Sequence, residues 1–231
     1  MRRHFSEGGW ILVWDIPARI CHWGFSFSLL GALLFGFYAD PESDWFKGHM
    51  LFGVLCCWFL AVRILLGFFG GRYLRWNRFF YGARATLKYL GDALKWRSVD
   101  FVGLNPGSAA FAAAIYLAAP ALVWTGFVLE LAESWHERIA WASLSLIGAH
   151  LLGLALHALR HRAVTPFAMI HGKVRGFDHE GLTHSGWQAG VALAALSIGF
   201  CLVLFWCFDF DSAALSIPFM PDIGFPMMQK G

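Results

Sequence analysis

The segment "HERIAWASLSLIGAH", residues 136–150, decides the architecture because it places two histidines far apart in one apolar helix. His136 and His150 are 14 residues apart, which at about 100° per residue falls only about 40° short of four full turns. Both imidazoles therefore leave the same helix face, about 21 Å apart along the axis. An ionisable side chain inside such an apolar segment is by default a candidate for a functional site.

The whole chain has the composition of a membrane protein. Of its 231 residues, 58% are hydrophobic and 14% are charged, whereas soluble domains carry about 25% charged residues. Many of the 12 Trp and 23 Phe lie near the ends of long apolar runs, as expected of an interfacial aromatic belt. The five cysteines form no C-x-x-C motif, which gives no sign of a thioredoxin motif or of covalent haem attachment.

Five apolar runs are each close to the roughly 20 residues that a helix needs to cross a bilayer. These runs are residues 20–38, 48–69, 111–131, 136–159 and 187–208. Asp15 and Pro17 are typical of a helix start just before the first run. The sequence predicts an all-α membrane protein, with a four-helix transmembrane bundle and its loops in residues 1–176. A fifth transmembrane helix and a tail are expected in residues 177–231.

The charges between the spans predict the orientation. Most of the 18 basic residues lie in the N-terminal segment, in residues 72–97 and after the fourth span. By the positive-inside rule, these segments are cytoplasmic, so the N-terminus lies inside and the tail is periplasmic. We therefore expect a multi-pass protein of the bacterial inner membrane that binds lipid and no nucleic acid. Residues 84–96 predict an amphipathic helix on the anionic membrane surface, with partner docking as the alternative.

Four histidines lie within the spans or at their mouths, at positions 22, 49, 136 and 150. His49 and His136 begin two helices of the same direction, so these side chains can face each other at the outer surface. His22 lies about 24 Å inward from the outer end of its helix, a depth that matches His150 better than His157. Two facing pairs are predicted: His49 with His136 outside, and His22 with His150 inside. Whether His157 substitutes for His150 stays open.

Histidine pairs that face each other across a bundle can hold a haem between two imidazoles. Two pairs predict two non-covalent b haems, although each mouth histidine taken singly is typical of an interfacial residue. Arg63 lies 14 residues after His49 and is a candidate for a propionate of the inner haem. Snorkelling of Arg63 to the interface is the alternative. Arg19 is a second propionate candidate, or else a charge that only sets topology.

Four segments carry a family resemblance: "VWDIPARICHW" (13–23), "KGHMLFG" (47–53), "WHERIAWASLSLIGAH" (135–150) and "PFAMIHGKVRG" (166–176). Over roughly residues 10–176, the chain resembles the bacterial cytochrome b-561 / nickel-hydrogenase b-type cytochrome family. The resemblance implies a four-helix bundle with two b haems, whose ligands map onto His22, His49, His136 and His150. It also implies electron transfer between a membrane quinone and a partner redox protein at the membrane surface.

The chain departs from the family pattern in two places. His171 interrupts a segment that usually reads like "MITG", and the fifth span and tail extend beyond the four-helix form. The extension would suit a periplasmic c-type cytochrome or a metalloenzyme subunit as partner. A homodimer within a larger complex is also open.

Two other functions are weighed against an electron conduit. One is a self-contained quinone-linked oxidoreductase that performs superoxide or ferric chemistry at the outer haem. The other is a metal or proton transporter that uses the same histidines. Transporter helices tend to be interrupted and to carry intramembrane carboxylates. Here the central parts of the spans contain no Asp or Glu, and Pro120 is the only mid-span proline.

Overall fold

The structure is a computed structural model that describes residues 8–41, 43–95, 97, 101–128, 133–161, 167–212, 214–216 and 223–224. Its helices are α1 (Ile16–Tyr38), α2 (Phe46–Phe69), α3 (Ala83–Leu94), α4 (Pro106–Val128), α5 (Glu133–His161), α6 (Ala168–His171) and α7 (Trp187–Cys207). Its strands are β1 (Gly9–Leu12), β2 (Lys173–Gly176), β3 (Phe208–Asp209), β4 (Ala214–Leu215) and β5 (Ile223–Gly224).

Five of the described helices are long and apolar enough to cross a membrane, namely α1, α2, α4, α5 and α7. The predicted all-α, multi-pass membrane architecture is therefore confirmed. Four of these helices begin earlier than predicted, namely α1, α2, α4 and α5. At α1 and α4, capping residues rather than apolar content set the start. At α4, the Asn105 side chain accepts the Ser108 N–H at 2.8 Å, with Pro106 at the first helical position. The predicted end of this span, at residue 131, lies outside the described residues.

The start of α1 confirms the predicted cap. The Asp15 carboxylate accepts the backbone N–H of Ala18 at 2.9 Å, which satisfies one of the free donors of the first turn. Burial raises the pKa of the Asp15 carboxyl, while the Ala18 hydrogen bond and the charge of Arg19 act in the opposite direction. The first turn of α1 is thus built around a carboxyl that is partly withdrawn from water.

The chain forms two compact units, and each long helix begins in one unit and ends in the other. The first unit comprises the described parts of Met1–His22, Val62–Ile115 and Leu146–Gly190. Within it, β1 pairs antiparallel with β2, with Leu12 opposite Lys173. A buried cluster joins these strands to the residues after α2; its members are Ile11, Val13, Trp14, Ala18, Leu74, Ala168 and Val174. Parts of all three basic segments therefore lie together in this unit.

The second unit comprises the described parts of Trp23–Ala61, Tyr116–Ser145 and Val191–Gly231. After α7, strands β3, β4 and β5 form a three-stranded antiparallel sheet, where only the end of the fifth span and a tail were expected. Phe46, Met50 and Phe208 form a buried cluster, which packs the sheet against the beginning of α2. The strands have two residues each, too few for an alternating pattern to be recognised.

The amphipathic helix expected at residues 84–96 is present as α3, which begins at Ala83 and ends at Leu94. Trp96 lies outside the described residues. Leu87 and Leu90 are exposed, together with the basic side chains of Arg84 and Lys88. Contact of this helix with the membrane surface stays a prediction.

Candidate functional site

His49 and His136, the predicted outer pair, are in direct contact within the second unit. Their ring centroids are 5.8 Å apart, and the ring planes are inclined by 79°. His49 comes from the first turns of α2 and His136 from the first turns of α5. The sequence placed both at helix mouths, and the folded chain brings these mouths together.

The orientation of His49 is fixed by a backbone carbonyl of α1. The His49 Nδ1 atom lies 2.8 Å from the oxygen of Ala32. Because a carbonyl only accepts, Nδ1 donates its hydrogen and Nε2 keeps a free lone pair. Gly36 allows this close approach of α1, since a Cβ atom there would lie 2.8 Å from His49 Nδ1. On the other side, the Phe46 ring stacks on His49 at 5.2 Å and 26°.

His136 is held in the same way by α4. Its Nδ1 atom lies 3.1 Å from the oxygen of Leu122 and 3.0 Å from Thr125 Oγ1. The Thr125 hydroxyl donates to the carbonyl of Ala121 at 2.7 Å, so its oxygen is available to accept from His136. His136 therefore also carries its proton on Nδ1 and leaves the lone pair on Nε2.

The nitrogen donors of His49 and His136 can be compared with those that a haem requires. Within the described residues, no group of three or more His, Cys, Asp or Glu side chains could hold a metal ion. The chain offers two imidazole nitrogen donors here, and the tetrapyrrole of a haem would supply the remaining ligands. Two neutral imidazoles from separate helices, each with its Nδ1 atom already engaged, match the donor set of a haem held between two histidines. The residues present therefore fit a haem held by two imidazoles.

The second pair, His22 and His150, lies in the first unit. These imidazoles are close enough to interact electrostatically. The His150 ring stacks face to face on Phe111 of α4, with a centroid distance of 4.1 Å and an interplanar angle of 7°. The ring plane of His150 is thus set by an aromatic neighbour that the sequence did not single out.

Arg63, the first propionate candidate, is buried, with 6% of its surface exposed. Its guanidinium lies 4.8 Å from the centre of the Trp76 ring and 5.3 Å from that of Phe79. Such cation–π contacts hold a guanidinium in an apolar setting. Arg63 also lies near Cys21, the neighbour of His22 in the chain. This burial argues against snorkelling of Arg63 to water, while contact with a propionate stays a prediction.

Arg19, the second candidate, contributes to the same unit. Its Nη1 atom donates to the carbonyl of Ile170 at 2.7 Å. Its Nε atom is buried and has no hydrogen-bond partner among the described residues. A buried donor without a partner is costly, so the side chain fits a neighbouring anionic group such as a propionate. Next to Ile170, His171 accepts the backbone N–H of Lys173 at 3.0 Å.

Sequence reasoning missed the groups that hold the histidines, and few signals could have revealed them. Thr125 is a single polar residue near the end of an apolar helix, where a bond to its own helix is the usual expectation. Ala32 acts only through its backbone. Trp76 and Phe79 follow α2 in the basic segment of residues 72–97, and for these two residues the sequence predicts only a cytoplasmic location. Their contact with Arg63 depends on the turn after α2, which carries no periodic pattern.

A family model described as prokaryotic cytochrome b561 matches residues 13–172. No significant match to a curated protein or to a solved structure was found. The matched residues cover most of the chain, include α1, α2, α4, α5 and both histidine pairs, and end before α7. The resemblance seen in the sequence is thereby confirmed. The chain belongs to the prokaryotic cytochrome b561 family, whose members are b-type membrane cytochromes of electron transfer.

Proposed function

We propose that this member of the prokaryotic cytochrome b561 family carries electrons across the bacterial inner membrane between the quinone pool and a periplasmic redox partner. In this proposal, His49 and His136 bind one b haem and His22 and His150 bind a second. The observation that carries the proposal is the contact between the His49 and His136 rings, with both Nδ1 atoms already engaged by α1 and α4.

A haem bound at each pair would supply one-electron redox chemistry. The chain's own residues prepare the two nitrogen donors. Because the partners of His49 and His136 fix the tautomer, each ring presents its lone pair without reorientation. Hydrogen bonding of Nδ1–H to a carbonyl also makes Nε2 a more basic ligand.

Around the second pair, the chain supplies positive charge. Arg63 is buried beside Trp76 and Phe79, and Arg19 presents a buried Nε donor. A guanidinium binds a carboxylate through two parallel hydrogen bonds, so these arginines would anchor the propionates of a haem at His22 and His150. The same charges would favour the reduced state of that haem.

The distribution of basic residues suggests which side of the membrane each histidine pair faces. The first unit collects parts of the three basic segments, which the positive-inside rule assigns to the cytoplasm. The His22/His150 pair would then lie toward the cytoplasm, and the His49/His136 pair toward the periplasm. A periplasmic c-type cytochrome or a metalloenzyme subunit would exchange electrons at the second unit.

The test uses purified full-length protein in liposomes that contain a lipid-soluble quinol and entrapped ferricyanide. We expect the quinol to reduce both haems and the entrapped ferricyanide to be reduced through the protein. The single-haem variants His49→Ala and His150→Ala are expected to lose this transmembrane step. Entrapped ferricyanide that stays oxidised beside fully haem-loaded wild-type protein would refute a transmembrane conduit.

A further inference from the structure

The C-terminal hairpin, formed by β3 and β4, packs against the first turn of α2. Phe208 of β3 is 4% exposed and Phe46 of α2 is 5% exposed, and both belong to one buried cluster with Met50. Leu215 of β4 packs against the same cluster. This hairpin lies beyond the residues that match the family, so its contact with α2 is a feature of this chain rather than of the family match.

Phe46 links the hairpin to a histidine of the candidate site. One face of its ring stacks on His49, and the residue is packed in the cluster that contains Phe208. His49 is thus held from two directions: Ala32 fixes its Nδ1 atom, and Phe46 fixes the plane of its ring. If Phe46 shifted, His49 would lose the stacking contact and keep only the hydrogen bond to Ala32.

The hairpin has its own means of staying folded. Phe208 pairs with Leu215, and the Ser216 N–H donates to the carbonyl of Cys207 at 2.8 Å. In the turn, the Asp209 carboxylate accepts the Ser212 hydroxyl at 2.5 Å. This hydrogen bond is the main reason that the pKa of Asp209 lies below its ordinary value.

We infer that the C-terminal hairpin positions His49 through Phe46 and shields the haem bound there from water. The inference rests on the proposed function, because it assumes that His49 is a haem ligand. Phe46 and Phe208 act as positioning residues. The apolar surroundings of a metal site control solvent access and, through it, the reduction potential. Loss of the packing should therefore admit water, stabilise the oxidised form and lower the potential of one haem.

The experiment compares full-length Phe208→Ala, Phe208→Leu and Phe46→Leu proteins by redox titration and by the low-spin EPR signals of their haems. Phe208→Ala opens the cluster, and Phe46→Leu keeps an apolar side chain but removes the ring that stacks on His49. Leu202→Ala is the matched control, since Leu202 lies on α7 six residues before Phe208 and is 67% exposed.

In Phe208→Ala and Phe46→Leu, we expect the potential of one haem to fall and its EPR signal to shift, while the other haem is unchanged. Phe208→Leu should retain most of the wild-type behaviour, and Leu202→Ala should leave both haems unchanged. Two bound haems with unaltered signals in Phe46→Leu would overturn the inference and leave the proposed function intact. Wild-type protein that binds no haem would instead overturn the proposed function.

Discussion

The His49/His136 pair and the His22/His150 pair lie on the same family of apolar helices but are surrounded by different contacts. In the first pair, each Nδ1 atom has a backbone carbonyl of a neighbouring helix within hydrogen-bond distance. In the second, His150 stacks on an aromatic ring, and the propionate candidates Arg19 and Arg63 lie in the same unit. Hydrogen bonds fix the orientation of the imidazoles at one pair, and an aromatic ring with two candidate propionate-binding arginines distinguishes the other.

Under the proposed function, this difference gives the two histidine pairs different roles in haem binding. Fixed tautomers favour tight binding of iron with little reorganisation. A buried guanidinium favours binding of the propionates and raises the potential of a nearby haem. Changes in one unit should therefore alter one haem and leave the second as it was.

The largest expected effect comes from the histidines themselves. His49→Ala or His136→Ala should remove one haem and preserve the other, as should His22→Ala or His150→Ala, because each proposed haem would depend on both imidazoles of its pair. Haem content per chain and an optical redox titration would show which of the two haems is lost. If His49→Ala and His136→Ala removed different haems, the pairing of His49 with His136 would be wrong. The control is His179→Ala, at an exposed histidine in neither pair.

A smaller effect is expected for Arg63→Gln. Loss of the buried guanidinium should lower the potential of the haem at His22/His150 and weaken its binding, without change at His49/His136. Arg72→Gln is the matched control, because Arg72 also lies over an aromatic ring, that of Tyr73, but is exposed. The measurement is a redox titration of both variants. Equal shifts of both haems in Arg63→Gln would contradict a charge that acts on one pair.

The smallest effect concerns Asp15, at the start of the helix that carries His22. Asp15→Ala should cost about 1 kcal/mol through loss of the cap, while Asp15→Asn keeps a capping oxygen. Because burial raises the pKa of Asp15, the folded state holds its proton more tightly than the unfolded chain. The stability of wild type relative to Asp15→Asn should thus be greatest at low pH and fall as the pH rises through the raised pKa.

Thermal unfolding of the detergent-solubilised protein over a pH series measures both effects. A stability of wild type that rises relative to Asp15→Asn as the pH increases would be inconsistent with the raised pKa of this carboxyl.

The five membrane-spanning helices could be predicted from the sequence because a bilayer demands about 20 apolar residues for each span. The cap at Asp15 could also be predicted, because the capping residue and the backbone N–H that it accepts are only three residues apart. The contact of His49 with His136 followed from depth and direction alone, since the rise of a helix is fixed.

Other features could not be predicted, because their signals are spread along the chain. The β1–β2 pair joins four-residue segments separated by most of the sequence. Burial of Arg63 between Trp76 and Phe79 depends on a turn without periodicity. The carbonyl of Ala32 leaves no trace in the sequence, since every residue has one. The strands after α7 were likewise expected only as a tail.

The central claim is that two imidazole pairs each hold one b haem. A pyridine-haemochrome assay on purified full-length protein, combined with a protein determination, tests it most directly. The account predicts two acid-extractable b haems per chain. One haem would eliminate one of the two pairs, and protein purified without any haem would contradict the account.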